Sequence, residues 1–314
     1  MGILTIVVPC YNEEEVLHET VRRLSDKLQR LIDEGRCDDG SRILFVDDGS
    51  RDRTWELIAQ YHAEYPAVCG LKLAHNRGHQ NALLAGLMTA REWSDCTVSM
   101  DADLQDDIEV LDQFLDEYNQ GADVVYGVRK KREKDTVFKR TTAQGFYKLM
   151  KLLGVEVVYN HADYRLMSRR VLDALSEYRE VNVFLRGLIP HIGFRSAVVY
   201  YDRGDRFAGE SKYPLKKMLA FALDGITSFS VKPLKIISNL GIIISILSVL
   251  GLVYALVAKL TGAAVAGWTA IIGSIWLLGG IQLLCLGIIG EYIGKIYSES
   301  KRRPRFNIDQ LLKK

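Results

Sequence analysis

Residues 96–107 read Cys-Thr-Val-Ser-Met-Asp-Ala-Asp-Leu-Gln-Asp-Asp, an apolar run that ends in a crowd of carboxylates. Read as extended chain, Asp101 and Asp103 are two apart and project to one side. Asp106 and Asp107 then open a helix, whose N-terminus favours negative charge. Two like charges this close repel unless a cation lies between them. Oxygen ligands that leave positions open suit Mg²⁺ or Mn²⁺, which complete their shells with substrate phosphates. A polar strand end running into a helix cap explains an isolated Asp-x-Asp equally well, so the rest of the chain must decide.

A second apolar run, Arg42-Ile-Leu-Phe-Val46, stops at Asp47-Asp48-Gly49-Ser50. The chain also begins with one, Leu4-Thr-Ile-Val-Val8, which stops at Pro9-Cys10-Tyr11-Asn12-Glu13. Val68–Ala74 and Ala122–Val128 read as two further strands. Between them, Leu17, Val21, Leu24, Leu28, Leu31 and Ile32 recur at helical spacing, as do Leu111, Phe114, Leu115 and Tyr118. Strand–helix alternation of this kind predicts an α/β domain with a Rossmann-like, mostly parallel sheet, and ligands bind at the carboxyl ends of such strands.

Taken in order, the motifs 9–13, 46–50 and 101–106 resemble those of the family-2 glycosyltransferases of the GT-A fold. Within that family the chain is similar to the polyprenyl-phosphate glycosyltransferases, a group with bacterial undecaprenyl-phosphate glucosyltransferases and dolichol-phosphate mannose synthase among its members. Arg206-Phe-Ala-Gly-Glu-Ser211-Lys212-Tyr213 and the apolar C-terminal part fit as well, so the likeness runs nearly end to end. It implies a nucleotide-sugar donor held by Pro9, Tyr11, Glu13 and Asp47, with Asp48 as the alternative to Asp47. Arg77 is a further candidate for the donor diphosphate. Asp103 and Gln105 are the implied metal ligands, and Asp101 either joins them or faces the donor. Asp163, in His161-Ala-Asp-Tyr-Arg-Leu166, matches the family's acidic residue on the acceptor side, either as a base or as a positioning group. Asp103 and Asp163 are thus the expected catalytic pair, while His75, His79 and His161 read as polar loop residues.

The implied acceptor, a polyprenyl phosphate, is largely a dianion at pH 7 because its second pKa lies near 6. It needs cationic positioning rather than a base. Arg129, Arg140, Arg206, Ser211 and Lys212 are the candidates, since an arginine fork fits phosphate and a lysine adds a point charge.

From Ile236 to Ala258 there is no formal charge, and such a run spans roughly 35 Å as a helix, enough for a bilayer. Trp268–Ile289 is a second uncharged run, and the short segment between predicts a hairpin. Residues 295–314 carry seven basic groups against Glu299 and Asp309, a net of +5 in a chain whose total is +2. The basic excess therefore lies beside the membrane and is not spread for nucleic acid. Lys232 and Lys235 precede the first run, so both flanks and the catalytic domain are expected in the cytoplasm. Phe146–Leu153 and Pro214–Phe229 read as amphipathic helices, either interfacial or core-facing. The layout is then a catalytic domain at 1–213, interfacial helices at 214–235, a hairpin at 236–290 with spans at about 236–258 and 268–290, and a basic cytoplasmic tail at 291–314.

Leu4–Val8 is too short for a signal-peptide core. Five cysteines without Cys-x-x-Cys spacing support neither a disulfide framework nor a zinc site. Gly290 and Gly294 have spacing that permits close helix contact, which allows a homo-oligomer without specifying one. The resemblance favours transfer of glucose from UDP-glucose to undecaprenyl phosphate with inversion, with N-acetylglucosamine as the next sugar. The product would need a separate flippase. A processive polysaccharide synthase and a non-enzymatic scaffold are the competing readings. Against the first, Gln282 is followed by Leu-Leu-Cys where such a synthase would show Gln-x-x-Arg-Trp. Against the second stands the intact carboxylate cluster.

Overall fold

The computed structural model describes residues 2–130, 161–181, 183–202, 204, 231–261 and 267–313. The described chain forms two compact units: one holds the sheet together with residues 302–314, and the other holds the long C-terminal helices.

In the first unit the sheet has eight strands: β1 (Leu4–Cys10), β2 (Arg42–Asp47), β3 (Val68–Leu73), β4 (Cys96–Ser99), β5 (Val124–Arg129), β6 (His161–Ser168), β7 (Ser196–Tyr201) and β8 (Ile308–Leu312). Their order is β7-β5-β6-β4-β1-β2-β3-β8. β4, β1, β2 and β3 run parallel, and β6 and β8 are antiparallel to their neighbours. β1 is buried along its whole length, as a parallel strand covered on both faces must be. The chain leaves β1 towards β2 on one side and returns to β4 on the other. The gap between the carboxyl ends of β1 and β4 is therefore the topological switch point, where open α/β sheets bind ligands.

Helices α1 (Leu17–Asp33), α2 (Thr54–Glu64), α3 (His79–Ala90), α4 (Leu111–Asn119), α5 (Arg169–Glu177) and α6 (Leu185–Ile192) complete this unit. The helical periodicity read at 17–32 is borne out: Leu17, Val21, Leu24, Leu28 and Leu31 are all in the core. α3 lies close on the sheet, because a Cβ at Gly86 would meet Val7 Cγ1 at 2.5 Å and Val46 Cγ2 at 2.6 Å. That close approach fixes where its first residue, His79, stands.

Two expectations change. Asp101 and Asp103 are not on an extended strand, because β4 stops at Ser99 and residues 102–104 turn. Leu104 closes the turn at φ +56°, a conformation that costs a leucine strain. The supposed tail at 291–314 is also different. A helix continues to Ser300, and Ile308–Leu312 then pairs with β3 as an edge strand.

In the second unit, α7 (Lys232–Leu260) and α8 (Trp268–Ser300) contact each other. α7 contains the first expected span. α8 runs unbroken ten residues beyond the expected end of the second. Among the described residues, Leu277–Ser300 is long and apolar enough to cross a membrane, with mean hydropathy 1.6 and none of it buried. The two amphipathic stretches at 146–153 and 214–229 lie outside the described residues.

Candidate functional site

Three loops converge at the carboxyl ends of β1, β2 and β4. After β1, Asn12 takes φ +55°, a left-handed conformation that Asn tolerates better than most residues. Its amide donates to Ser50 Oγ (3.0 Å) and its Oδ1 accepts from Arg51 N (2.9 Å). Glu13 N donates to Thr54 Oγ1 at 2.9 Å. The Tyr11–Glu13 turn and the Asp47–Thr54 loop are thus stitched into one ledge, with the Tyr11 side chain exposed.

Asp47 and Asp48, inseparable in sequence, have different duties. Asp48 accepts from Arg77 N (2.7 Å) and Gly78 N (2.9 Å), so it clamps the loop that leads into α3. Asp47 accepts Ser50 N at 3.2 Å through Oδ1, while its buried Oδ2 has no partner among the described residues. Burial pushes both carboxyls above their usual range. Arg77 Nε is likewise buried without a partner. An orphaned acceptor at the carboxyl end of β2 and an orphaned donor in the loop after β3 are unused capacity to bind a ligand, because buried polar groups are otherwise satisfied. Gly49 makes the clamp possible. At φ +67°, its Cβ would meet Asn76 N at 2.7 Å. Gly49→Ala should therefore destabilise the chain by about 1–3 kcal/mol and lower its melting temperature in a thermal unfolding scan. An unchanged melting temperature would show that the two loops are not packed this tightly.

The loop after β4 carries Asp101, Asp103 and Gln105. Thr20 Oγ1 donates to Ala102 O at 2.9 Å, and Asp103 Oδ1 accepts from Gln105 N at 3.2 Å. Asp101 titrates at about 6, raised first by burial and further by Asp106, Asp163 and Asp103, with His79 opposing. This crowding is a negative field that a cation relieves. Among the described residues no three His, Cys, Asp or Glu side chains form a ready-made metal cage. Asp101 and Asp103 with Gln105 nonetheless fit a hard divalent ion, which commonly takes one or two carboxylates and leaves the rest of its shell to phosphate and water. Asp107 caps the short 3₁₀ turn that opens α4, as the sequence suggested. Asp106 does not cap it. It is buried, accepting from Tyr201 Oη (2.5 Å) and Arg129 Nη2 (3.3 Å). Arg129 also donates Nε to Tyr201 Oη at 3.1 Å, so much of its guanidinium is spent bracing this loop.

Asp163 lies on β6, beside β4, and is almost fully buried. It accepts from Arg165 Nη2 on its own strand and from Arg186 Nη2 at 2.9 Å on α6. Burial works to raise its pKa, but His79, Arg186 and Arg165 together hold the carboxyl well below the usual range. A carboxylate so held is a poor proton acceptor, which favours a positioning role over that of a base. His79 Nε2 stands 3.6 Å from Asp163 Oδ2 and 3.7 Å from Asp101 Oδ1. Burial lowers its basicity, yet the two carboxylates outweigh that and raise its pKa. Gln80 Oε1 accepts from Leu185 N at 2.8 Å, joining the start of α3 to the start of α6 next to His79 and Arg186 in the chain.

His79 and Arg186 are the residues the sequence reading missed. His79 follows Gly78 (φ +85°) at a helix start, a local sign that it faces the strand ends. Arg186 has no local sign. Of the expected acceptor residues, Arg140, Arg206, Ser211 and Lys212 lie outside the described residues. Gly204 N, just before the last three, donates to Gln105 O at 2.9 Å.

Residues 5–176 match the family described as "Glycosyl transferase family 2", and residues 232–296 match "GtrB C-terminal hairpin". The chain is 57% identical to "Uncharacterized glycosyltransferase YkoT" of Bacillus subtilis over 98% of its own length and 91% of that protein. It is 37% identical to "Bactoprenol glucosyl transferase" of Shigella phage SfV, covering 97% of each. A solved glucosyl-3-phosphoglycerate synthase from Mycobacterium tuberculosis aligns over 73% of this chain and 79% of that one at 17% identity, with a TM-score of 0.46. With a GT-A-like α/β unit, a carboxylate loop at the switch point and a C-terminal helical hairpin that associates with membranes, this chain is a glycosyltransferase and belongs to glycosyl transferase family 2.

Proposed function

We propose that the chain transfers glucose from UDP-glucose to a membrane polyprenyl phosphate, undecaprenyl phosphate in a bacterium, with inversion at the anomeric carbon. Asp101 and Asp103 carry the reading, since they place carboxylate oxygens in the loop after β4, on the same end of the sheet as the buried Asp47 Oδ2, which has no partner among the described residues. The name of the phage relative, at 37% identity over nearly the whole chain, supports both the sugar and the lipid.

Pro9, Tyr11, Glu13 and Asp47 hold the nucleoside, and Arg77 meets the diphosphate. Asp101, Asp103 and Gln105 hold Mg²⁺ or Mn²⁺, which supplies Lewis-acid stabilisation of the diphosphate leaving group when bound. A phosphate oxygen of the acceptor forms the new bond to the anomeric carbon as the bond to UDP breaks. The acceptor is already ionised, so no residue needs to remove a proton. Asp163, held as an anion by Arg165 and Arg186, orients His79 and the α6 start around the sugar. Arg206, Ser211 and Lys212 receive the acceptor phosphate with Arg140. The bond from Gly204 to Gln105 supports that assignment by tying the approach to this motif to the metal loop.

Both α7 and α8 cross the bilayer, with the sheet and both flanks in the cytoplasm, as the flanking lysines and arginines favour. The lipid-linked sugar forms on the cytoplasmic leaflet and needs a separate flippase, since two helices offer a sugar no polar path.

Incubation of the full-length protein with radiolabelled UDP-glucose and undecaprenyl phosphate should give one chloroform-soluble product. NMR should show a β-linked glucosyl phosphodiester from the α-linked donor. An α-linkage would overturn inversion, and label in an insoluble polymer would favour a processive synthase.

A further inference from the structure

A second cleft, of about 320 Å³, lies in the sheet unit away from the reaction site. Leu84 and Met88 of α3 form one wall, and Arg179, Arg303, Arg305 and Phe306 line it together with Ser176 and Pro304. Leu84 and Met88 come five and nine residues after His79, more than one and about two and a half turns down the helix from its catalytic end. Among the described residues, three arginines line the cleft and no carboxylate does. Arg179 and Arg303 are exposed, while Arg305 is half-buried and anchored through Nη2 to Tyr178 O.

Two independent features indicate an occupant. Guanidinium forks bind phosphate oxygens in pairs, and here they share the cleft with an aliphatic and aromatic wall. This composition suits an amphiphile with one phosphate better than a free anion. The basic side also follows the apolar helix directly in the chain: Arg303 comes three residues after Ser300, a distance of at most about 10 Å along the chain. We infer that this cleft is a binding site for the headgroup of an anionic glycerophospholipid of the host bilayer. Arg179 and Arg303 grip the phosphodiester, and Leu84, Met88 and Phe306 receive the glycerol end of the acyl chains.

The test uses the full-length protein in neutral detergent, titrated with dihexanoyl-phosphatidylglycerol and followed by thermal unfolding. The midpoint should rise with lipid concentration, as ligand linkage requires, and dihexanoyl-phosphatidylcholine should have no such effect. Arg179→Gln/Arg303→Gln should weaken phosphatidylglycerol binding about tenfold or more, the loss expected when charge-assisted bonds to phosphate are removed. The single Arg303→Glu variant, at an exposed side chain, should do the same if the double variant folds poorly. An unchanged response in these variants would overturn the site. So would equal stabilisation by inorganic phosphate, which would indicate a free-anion site. An equal loss in Lys301→Gln, outside the cleft, would also overturn it, because diffuse attraction to a basic segment would then suffice.

Discussion

Replacing Asp103 by Asn should lower sugar transfer by about two to four orders of magnitude while leaving the fold intact. The structure explains why the two effects separate. Asp103 is only half-buried, and among its interactions it accepts Gln105 N through Oδ1. An asparagine oxygen can do the same, so the turn at Leu104 survives. The negative charge is lost, and with it a ligand for the divalent ion in a field where Asp101 is already reluctant to ionise. The variant should melt within a few degrees of the parent and retain little transfer to polyprenyl phosphate. Excess EDTA should silence the parent in the same assay, with recovery on adding Mg²⁺ or Mn²⁺. Full activity in EDTA would remove Asp103 from metal binding altogether.

Asp163 should behave differently, because its neighbours make it both a structural and a kinetic residue. Asp163→Ala would leave the wholly buried Arg165 without its carboxylate, a change that typically costs about 3–5 kcal/mol. Asp163→Asn keeps the shape and some of the hydrogen bonds, so it is the variant for kinetics. Its kcat should fall by about a hundredfold or more, yet the shape of the pH–rate profile should stay that of the parent. A general base here would instead give the parent an acidic limb that disappears in the variant. Stability adds a second check. The folded-state carboxyl is depressed, so its contribution is complete above about pH 4, the unfolded value, and disappears as pH falls through the folded value. The stability gap between parent and Asp163→Asn, read from denaturant unfolding, should narrow below about pH 4. A gap that widened there would contradict the depressed carboxyl.

The parallel part of the sheet was legible because its strands are buried on both faces and read as continuous apolar runs, as Leu4–Val8 and Ile43–Val46 do. The carboxylate loop after β4 was legible because its residues are neighbours in sequence. Long-range partnership was not. Asp47 and Asp48 look alike until Arg77 and Gly78, about thirty residues later, claim one of them. Asp163 stayed open between base and positioning group, because Arg186 approaches it from another element. Arg129 read as a phosphate ligand, and its Nε and Nη2 bonds to Tyr201 and Asp106 were not visible in the sequence. β8 escaped notice for a related reason. Leu312 pairs with Gly70 across most of the chain, and its charged surroundings read as a solvated tail.

The return of β8 to the sheet means that α7 and α8 are an insertion within the catalytic unit rather than an appendage to it. A fragment cut before Lys232 would not be a clean soluble enzyme. It would leave the rim of β3 unpaired, with open backbone donors and acceptors that invite strand-to-strand aggregation. It would also release Ala74 N from Asn307 O, at the start of the loop that Asp48 clamps three residues later at Arg77. Separating this enzyme from its lipid therefore calls for splicing: residues 232–301 exchanged for a flexible linker, with the residues from 302 onward kept so that the last strand can close the sheet.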